Sequence, residues 1–229
     1  MTESLPELVL VHGAWHGAWA WDQLLPVLAE RGWTASAVDL PSSGSGAGVL
    51  ADGEVLRERL EATDAPKVVV GHSYGGTVIT QAGAHDSVVG LAYICAARPD
   101  VGDVVWTDPH SPEEVPYWIR VDDDAGACFA EDSHKILYND CSEEITAAAQ
   151  ARLQGQSLAS FLEPVTAAAW RERPYAYLIC EIDQCVPAEA QEGLAEGASH
   201  IERIEASHSP FMSRPGEVEQ FLRRAVSSF

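Results

Sequence analysis

The sequence predicts an α/β fold in which helices cover a doubly wound, mostly parallel sheet. Short apolar runs typical of buried strands recur along the chain, and segments with helical spacing of apolar residues separate most of them. One run, residues 68–70, leads into Gly71-His72-Ser73-Tyr74-Gly75, where a strand must turn sharply into a helix. Repeated strand-helix-strand units imply right-handed crossovers, which gather functional side chains at the carboxyl ends of the strands.

Composition excludes several classes of partner. The chain has 229 residues and 46% hydrophobic content, enough to bury a large core. With 14 basic and 35 acidic residues its formal net charge is −21, so phosphate backbones and anionic membranes would repel it. We therefore expect no nucleic-acid partner and no membrane partner.

The cysteines and the N-terminal residues indicate neither a metal site nor secretion. Five cysteines are an odd number, and they lack the CxxC or paired-histidine spacing of a zinc site. Cys95 and Cys180 fall in predicted core strands, where a thiol behaves as a small apolar group. Residues 1–7 lack the basic start and apolar run of a signal peptide. We expect a cytoplasmic protein without a disulfide framework, a metal or another cofactor.

The first part of the chain alternates regularly between strands and helices. Periodicity predicts strands at residues 8–11, 34–38, 68–70 and 88–94, and helices at residues 21–31, 54–62 and 77–82. The strand at 68–70 consists of three valines, as expected for a strand buried on both faces. Asp39 follows the second strand and is expected to bind loop amides rather than to do chemistry.

The alternation stops between residues 98 and 166, which we interpret as a helical cap inserted into a core domain formed by 1–97 and 167–229. Short helices are expected near Tyr117, near Ile136 and over 143–153, the last one capped by Asp140. The cap's large apolar side chains are candidates for the wall of a pocket, although some can instead form the cap's own core. These candidates are Trp106, Trp118, Phe129, Tyr138, Leu158 and Phe161.

Regular alternation resumes after the cap. The predicted elements are strands at residues 175–180 and 201–205 and helices at residues 188–197 and 216–226. The two strands extend the same sheet, so the residues that follow them reach its carboxyl edge.

Ser73 is the candidate nucleophile. It occupies the centre of a Gly-x-Ser-x-Gly pattern between a strand and a helix, the context of a nucleophile elbow. The serine there has a strained backbone, and Gly71 and Gly75 allow the strand and the helix to approach closely. The alternative is an ordinary turn rich in glycine and serine.

The loop after the first strand, His12-Gly13-Ala14-Trp15-His16, is the candidate oxyanion loop. The backbone amides of Ala14 and Tyr74 are predicted to be two N–H donors for charge on a carbonyl oxygen under attack. The alternative is that His12 and Gly13 merely end the strand. Further candidates for the substrate pocket are His12, Trp15, His16 and Phe211.

His208 is the candidate base, because a serine hydroxyl is a poor nucleophile until a base takes its proton. It follows the last predicted strand and therefore reaches the same edge as Ser73, whereas His200 precedes that strand and lies at the opposite edge. The remaining alternatives lie at helix ends, in the cap or beside the oxyanion loop: His85, His110, His134 and His16.

Asp183 is the candidate acid that orients the imidazole. It follows the strand at 175–180 and so reaches the carboxyl edge. Glu181 is closer to the strand and is expected to point elsewhere. Asp100 or Asp103, beyond the preceding strand, is the alternative source of the acid.

Four motifs together resemble the α/β-hydrolase superfamily over essentially the whole chain: HGAWHGAW, GHSYGG, EIDQCVP and ASHSPFMSRP. More narrowly they resemble a group containing plant methylesterases, hydroxynitrile lyases and bacterial pyrethroid-hydrolase-like or salicylate-esterase-like proteins. The order Ser73, Asp183, His208 is the order expected for that fold. The resemblance implies an α/β-hydrolase fold with an inserted helical cap and a serine esterase mechanism.

Two positions bear on the choice between esterase and lyase. Hydroxynitrile lyases of this group have a threonine after the first histidine and a lysine after the catalytic histidine, where this chain has Gly13 and Ser209. Both differences favour ester hydrolysis. The tryptophan-rich edge and the cap predict a small apolar or aromatic ester, and we expect a monomer or homodimer. A carbon-carbon lyase using the same triad and a ligand-binding protein without catalysis are the alternatives.

Overall fold

A computed structural model describes residues 5–229, so the first four residues of the predicted core range lie outside the described residues. The strands of the described range are, in chain order, β1 (Glu7–Val11), β2 (Ala35–Val38), β3 (Lys67–His72), β4 (Val88–Ile94), β5 (Ile119–Asp122), β6 (Ala127–Ala130), β7 (Gln156–Ser157), β8 (Tyr175–Cys180) and β9 (His200–Ile204). Six of them form an all-parallel sheet in the order β2-β1-β3-β4-β8-β9. The predicted parallel sheet is confirmed.

Helices connect and cover this sheet. In chain order the α-helices are α1 (Leu24–Glu30), α2 (Val49–Glu61), α3 (Gly75–Ala82), α4 (Ser133–Ile136), α5 (Glu143–Gln150), α6 (Ala159–Leu162), α7 (Ala188–Ala195), α8 (Pro210–Ser213) and α9 (Pro215–Val226). Helix α1 packs against α9, and α2 packs against α3. Strands β1, β3 and β8 are buried almost throughout, which is why they consist of continuous apolar runs rather than alternating ones.

The chain leaves β1 and β3 in opposite directions across the sheet. From β1 it goes to β2 at one edge, and from β3 it goes to β4 on the other side, so the sheet has its topological switch point between β1 and β3. The loops that follow these two strands therefore border a crevice at the carboxyl edge, where open α/β sheets bind their ligands. Those loops carry Ala14 and Ser73.

Several predicted helix bounds are wrong. Helix α2 begins at Val49, five residues before the predicted 54, and runs through Gly53, which the periodicity did not place in a helix. A Cβ at Gly53 would lie 3.1 Å from Cγ of Gln81, so glycine serves the close packing of α2 on α3. The first helix begins at Leu24 rather than residue 21, because a 3-10 turn, Ala18–Trp21, precedes it.

The segment between β4 and β8 is mixed rather than helical. Strands β5, β6 and β7 form a separate antiparallel sheet, so the helix predicted near Tyr117 is wrong. Helices α4 and α5 occur where they were predicted, but the N-cap of α5 is Ser142, whose Oγ accepts from Ile145 N, and not Asp140. Asp140 instead accepts a hydrogen bond from Ser213. The bounds 98–166 for an inserted cap stay a prediction.

Candidate active site

Ser73 connects β3 to α3 with a φ of 52°, a left-handed conformation that is rare for a residue with a side chain. A Cβ on Gly71 would lie 2.7 Å from the Gly75 carbonyl oxygen, and a Cβ on Gly75 would lie closer still to that of Val11. Only glycine fits at these two positions, because backbone stands where any side chain would begin. The turn therefore has the geometry expected of a nucleophile elbow.

Two backbone N–H groups lie next to this serine. A Cβ on Gly13 would lie 2.9 Å from Cβ of Ser73, so the oxyanion loop approaches the elbow as closely as glycine permits. Ala14, Ser73 and Tyr74 border the same cavity. Within residues 5–229, neither the Ala14 N–H nor the Tyr74 N–H donates to a protein acceptor. Both donors thus remain for a ligand oxygen.

His208 and Asp183 form a buried pair beside the elbow. Nδ1 of His208 donates to Oδ2 of Asp183 at 2.7 Å. The carboxylate is oriented by further donors, since Oδ1 accepts from the backbone N–H groups of Cys185 at 2.7 Å and Val186 at 2.9 Å. Nε2 of Gln191 adds a bond to Oδ2 at 3.1 Å. The pairing fixes the tautomer of His208, leaving Nε2 to accept a proton.

The charge of Asp183 tunes this imidazole. Burial is the largest single effect and opposes protonation, but Asp183 and Cys185 together outweigh it and raise the pKa of His208 well above its usual 6.5. The imidazolium formed when His208 takes a proton is therefore stabilised where it forms.

The candidate nucleophile Ser73 and the candidate base His208 are not hydrogen-bonded to each other in this conformation. His72, the neighbour of Ser73, donates from Nε2 to the backbone carbonyl of His208 at 2.7 Å, which ties the two loops together. Among the described residues no hydrogen bond joins the Ser73 hydroxyl to the His208 ring. Such contacts are commonly loose in the absence of substrate and tighten in the complex.

His12 supports the oxyanion loop instead of lining the pocket as predicted. It is buried, its Nδ1 donates to the Gly13 carbonyl at 2.8 Å, and its Nε2 accepts from Leu40 N at 3.1 Å. Burial lowers the pKa of His12 to about 4, so it stays neutral near pH 7.

His16 has a similar supporting position and does not line the cavity either. Its Nδ1 donates to the Ala14 carbonyl at 2.7 Å, and its Nε2 accepts from the Tyr138 hydroxyl at 2.7 Å. Burial lowers the pKa of His16 to about 3. The engagement of Tyr138 with His16 is also why that tyrosine is not on the wall.

The cavity over Ser73 has a volume of about 190 Å³. Four predicted wall residues lie on it: Trp15, Trp106, Trp118 and Phe161. Their rings pack together, with centroids 4.3 Å apart for Trp106 and Phe161 and 5.6 Å apart for Trp15 and Trp118. The wall is thus mainly aromatic and aliphatic, which suits an apolar ligand.

Three other predicted wall residues lie elsewhere. Phe129 stacks under the Arg120 guanidinium at 4.5 Å, on the cap's antiparallel sheet. Phe211 is fully buried and packs 4.4 Å from Trp21 in the core. Leu158 belongs to the interior of the cap segment. Large apolar residues are common in both cores and pockets, so composition alone did not separate them.

Sequence reasoning missed several wall residues. The additional ones are Ala97, Val105, Glu114, Pro116, Ile119, Cys185 and Val186. Cys185 and Val186 were detectable, because they come two and three residues after Asp183 at the carboxyl edge. Glu114 had no such signal, since one acid among 35 acidic residues in an irregular segment carries no pattern.

The alternative acids are engaged elsewhere. Asp100 is paired with the Arg171 guanidinium at the surface, and Asp103 accepts from Asp100 N at 2.8 Å. Glu181 lies 3.9 Å from Arg203. None of the three hydrogen-bonds a histidine within the described range. The roles assigned to Ser73, Asp183 and His208 stay predictions that this arrangement supports.

One group of possible metal ligands occurs among the described residues. Ligand atoms of His72, Cys95 and His208 lie within 4.8 Å of one another. Their proximity has another explanation, because the His72 ring and the Cys95 thiol both donate to the His208 carbonyl. These bonds position the loop of His208.

In the same described range, no helix combines the length and apolarity needed to cross a bilayer.

Comparisons with known proteins agree with this architecture. Residues 8–221 match the alpha/beta hydrolase family. The chain is 30% identical to "Alpha/beta hydrolase nvfD" of Aspergillus novofumigatus, and the match covers 96% of both chains. It is also 30% identical to "Norfluorocurarine synthase 2" of Strychnos, with coverage of 93% of this chain and 92% of the relative. The structure resembles that of methylesterase protein MES16 from Arabidopsis, with a TM-score of 0.82, 23% identity and coverage of 98% and 100%. The expected fold and the resemblance are confirmed.

Proposed function

The chain belongs to the alpha/beta hydrolase family, and from that premise we propose that it is a serine esterase that hydrolyses a small apolar or aromatic carboxylic ester. One observation carries the proposal: Ser73, in a left-handed turn, shares an apolar cavity with two unpaired N–H groups, those of Ala14 and Tyr74. This arrangement matches the needs of acyl transfer, in which negative charge develops on a carbonyl oxygen. The similar Arabidopsis structure is that of a methylesterase, which agrees with the proposal.

In the first half of the reaction, Oγ of Ser73 attacks the ester carbonyl carbon while Nε2 of His208 takes the hydroxyl proton. The carbonyl oxygen becomes an oxyanion and accepts hydrogen bonds from the N–H groups of Ala14 and Tyr74. When the intermediate collapses, the carbon-oxygen bond to the alcohol breaks, and His208 gives its proton to the departing alcohol. An acyl-enzyme on Ser73 remains.

In the second half, water repeats the attack. His208 removes a proton from the water as its oxygen bonds to the acyl carbon, and the same two N–H groups hold the new oxyanion. Collapse breaks the bond to Ser73 Oγ, which regains the proton from His208 and releases the carboxylic acid. Asp183 stabilises the imidazolium in both halves through the 2.7 Å hydrogen bond to Nδ1.

Cavity size and lining set the proposed substrate class. A volume of about 190 Å³ accommodates a small acyl or alcohol group rather than a long chain. The rings of Trp15, Trp106, Trp118 and Phe161 offer apolar faces for aliphatic or aromatic groups. A small-molecule ester is therefore the proposed partner of this site.

Short p-nitrophenyl esters test the proposal directly. We expect the wild-type protein to hydrolyse them and to be labelled covalently at Ser73 by a fluorophosphonate, and Ser73→Ala to lose roughly 10³-fold or more in kcat. Ser199→Ala, at an exposed position before β9, is the matched control and should keep wild-type activity. Retention of most activity by Ser73→Ala would overturn the mechanism.

A second reaction class calls for a separate assay, because one relative over most of the chain is named as a synthase and not as a hydrolase. A carbon-carbon lyase can use the same triad as acid and base. The cavity wall has no lysine or arginine among its lining residues in the described range, which disfavours a reaction that must hold a cyanide anion. Cyanide release from mandelonitrile without ester turnover would decide for the lyase, and ligand binding without turnover or labelling would decide for a non-catalytic role.

A further inference from the structure

A buried polar network lies behind the cavity, and no step of the proposed mechanism uses it. It joins Asp52 of α2, Ser42 of the preceding loop, and Gln156 and Ser160 of the cap segment. All four side chains are at most 1% exposed. Burying a carboxylate and an amide is unfavourable unless their hydrogen bonds are satisfied, so this network requires a physical reason.

One end of the network holds Tyr74. The Tyr74 hydroxyl donates to Oδ2 of Asp52 at 2.6 Å. Asp52 also accepts from Ser42, at 3.0 Å from its backbone N–H and at 2.5 Å from its hydroxyl. The Tyr74 side chain is therefore fixed at its far end, while the residue lines the cavity and its backbone N–H is one of the two unpaired donors.

The other end holds the oxyanion loop. Oε1 of Gln156 accepts from Trp15 N at 3.1 Å, and Gln154 N donates to the Trp15 carbonyl at 2.9 Å. Trp15 has a φ of 65°, a left-handed conformation that a tryptophan adopts only when its surroundings impose it. The residue held in this way directly follows Ala14, which carries the second unpaired donor.

The hydrogen bonds between the two ends can run in only one direction. Because Asp52 accepts, the Ser42 hydroxyl must donate to it and must itself accept from Nε2 of Gln156 at 2.9 Å. The second Nε2 proton goes to Ser160 Oγ at 2.7 Å, whose proton goes to the Ser157 carbonyl at 2.7 Å. The remaining polar atom of the Gln156 side chain, Oε1, therefore accepts the hydrogen bond from Trp15 N. A network satisfied in a single orientation rigidifies what it touches.

We propose that Asp52, Ser42 and Gln156 are positioning residues of the oxyanion hole. The network spans from Tyr74 to Trp15, and it fixes the separation and direction of the N–H groups of Tyr74 and Ala14. The inference rests on the proposed function, since it presupposes an oxyanion at these donors. Preorganised donors stabilise charge only if they already point to where it develops, so small displacements reduce the rate while leaving substrate binding largely unchanged.

The network also gives the cap segment a role in catalysis. Gln156 lies in β7, which belongs to the antiparallel sheet of that segment, whereas Asp52 and Tyr74 belong to elements of the main sheet's layer. The oxyanion hole is thus assembled from both parts of the chain. Loss of the Gln156 side chain should weaken it even though Gln156 does not line the cavity.

The test compares two variants with a matched control, using kcat and KM on a p-nitrophenyl ester. Tyr74→Phe removes only the bond to Asp52. Gln156→Met removes, at similar volume, all the hydrogen bonds of the Gln156 side chain, which join it to Trp15, Ser42, Ser43 and Ser160. For each we expect kcat to fall roughly 5- to 50-fold while KM stays within about twofold. Tyr93→Phe is the control, because it removes another buried tyrosine hydroxyl bond, to Thr80 at 2.9 Å, away from the cavity.

A trifluoromethyl ketone gives the readout that a purely structural role would not move. Its carbonyl carbon accepts Ser73 Oγ and forms a tetrahedral alkoxide, so its inhibition constant reports on the oxyanion hole. In Tyr74→Phe and Gln156→Met, we expect the inhibition constant to rise by the same factor by which kcat/KM falls. In Tyr93→Phe, we expect the inhibition constant to stay unchanged. Circular dichroism and melting temperatures verify folding, and if Gln156→Met does not fold, Tyr74→Phe alone decides.

The failures are distinguishable. An active, labelled wild type whose two network variants keep both kcat and the inhibition constant within about twofold would overturn this inference alone. A wild type that neither hydrolyses esters nor is labelled at Ser73 would overturn the proposed function and this inference with it.

Discussion

Asp183 and His208 meet through a 2.7 Å hydrogen bond between Oδ2 and Nδ1, although 25 residues separate them in sequence. They follow the neighbouring parallel strands β8 and β9, in which Cys180 is the partner of Ile204. Each residue lies a few positions beyond this last pair, so the strand register brings the two loops to the same height. Because both side chains are almost fully buried, water does not screen the pair.

Asp183→Asn should keep the fold but remove most of the activity. The amide has no charge to stabilise the imidazolium and can favour the wrong tautomer of His208, so we expect kcat to fall roughly 10³- to 10⁴-fold with little change in KM. Steady-state kinetics on a p-nitrophenyl ester measure this. Asp100→Asn is the control, since Asp100 is paired with Arg171 at the surface and should be dispensable. Equal losses in both variants would refute the assignment of the acid.

The pH dependence of kcat/KM should report His208. Activity requires the neutral imidazole, so the rate rises with pH through the His208 pKa, and the charge of Asp183 places that midpoint above 6.5. The buried His12 and His16, with pKa values near 4 and 3, remain neutral over this range and add no step. Asp183→Asn should move the residual midpoint downward. A wild-type midpoint below 6.5 would contradict this prediction.

Stability should change with pH in the opposite direction. The folded state raises the pKa of His208, so the protonated form contributes stability that is fully present below the unfolded value of about 6.5 and is lost as pH rises through the folded pKa. Melting temperatures of wild type and His208→Gln across this window measure it. Their difference should shrink as pH rises, and a constant difference would count against the ion pair.

How much the sequence predicts depends on whether the signal is local. The turn at Ser73 is encoded in five consecutive residues, because glycines at 71 and 75 are needed to avoid backbone contacts under 3 Å. The edge positions of Asp183 and His208 follow from strand order alone. The wall of the cavity does not, since its aromatic residues converge from separate loops and only tertiary packing separates Trp106 from Phe129.

One wrong secondary-structure prediction can be explained by a strand pattern in the same residues. We expected a short helix near Tyr117, but Ile119 and Val121 alternate with Arg120 and Asp122, the period of a strand, and β5 forms there. The network of Asp52, Ser42 and Gln156 escaped sequence reasoning entirely. Its members are more than 100 residues apart at the extremes and form no motif, so only the folded chain reveals them.

Glu114 should make the site select against anionic esters. It is the one charged side chain among the cavity's lining residues in the described range. Hydrogen bonds from the Thr107 side chain and backbone hold the pKa of Glu114 below its ordinary value, so it is ionised near pH 7. We expect the wild-type protein to have a lower kcat/KM for a p-nitrophenyl hemisuccinate than for its methyl ester. At low salt, Glu114→Gln should narrow this gap between the two kcat/KM values by roughly threefold to tenfold.

Salt and a neighbouring variant separate this charge effect from simple fit. Added salt should narrow the wild-type gap as Glu114→Gln does, because screening weakens repulsion from a partly exposed carboxylate. Glu113→Gln is the matched control, since Glu113 is exposed and absent from the cavity wall. If Glu113→Gln narrows the gap equally, the overall negative charge of the chain and not Glu114 is responsible.

Glycine-to-alanine substitutions should have opposite effects on stability at two helical positions. At Gly75 a methyl group would collide with the Val11 carbonyl oxygen and lie 2.6 Å from the His12 carbonyl oxygen, so Gly75→Ala must displace the elbow. We expect this variant to have a lower kcat. We also expect its free energy of unfolding to fall by about 1–3 kcal/mol or more. At Gly193, an exposed position of α7, nothing lies within 4 Å of the place a methyl group would take, so Gly193→Ala should stabilise by up to about 1 kcal/mol at unchanged activity. Urea unfolding together with ester kinetics measures both. A stable, fully active Gly75→Ala would mean that strand and helix do not approach as closely as this elbow requires.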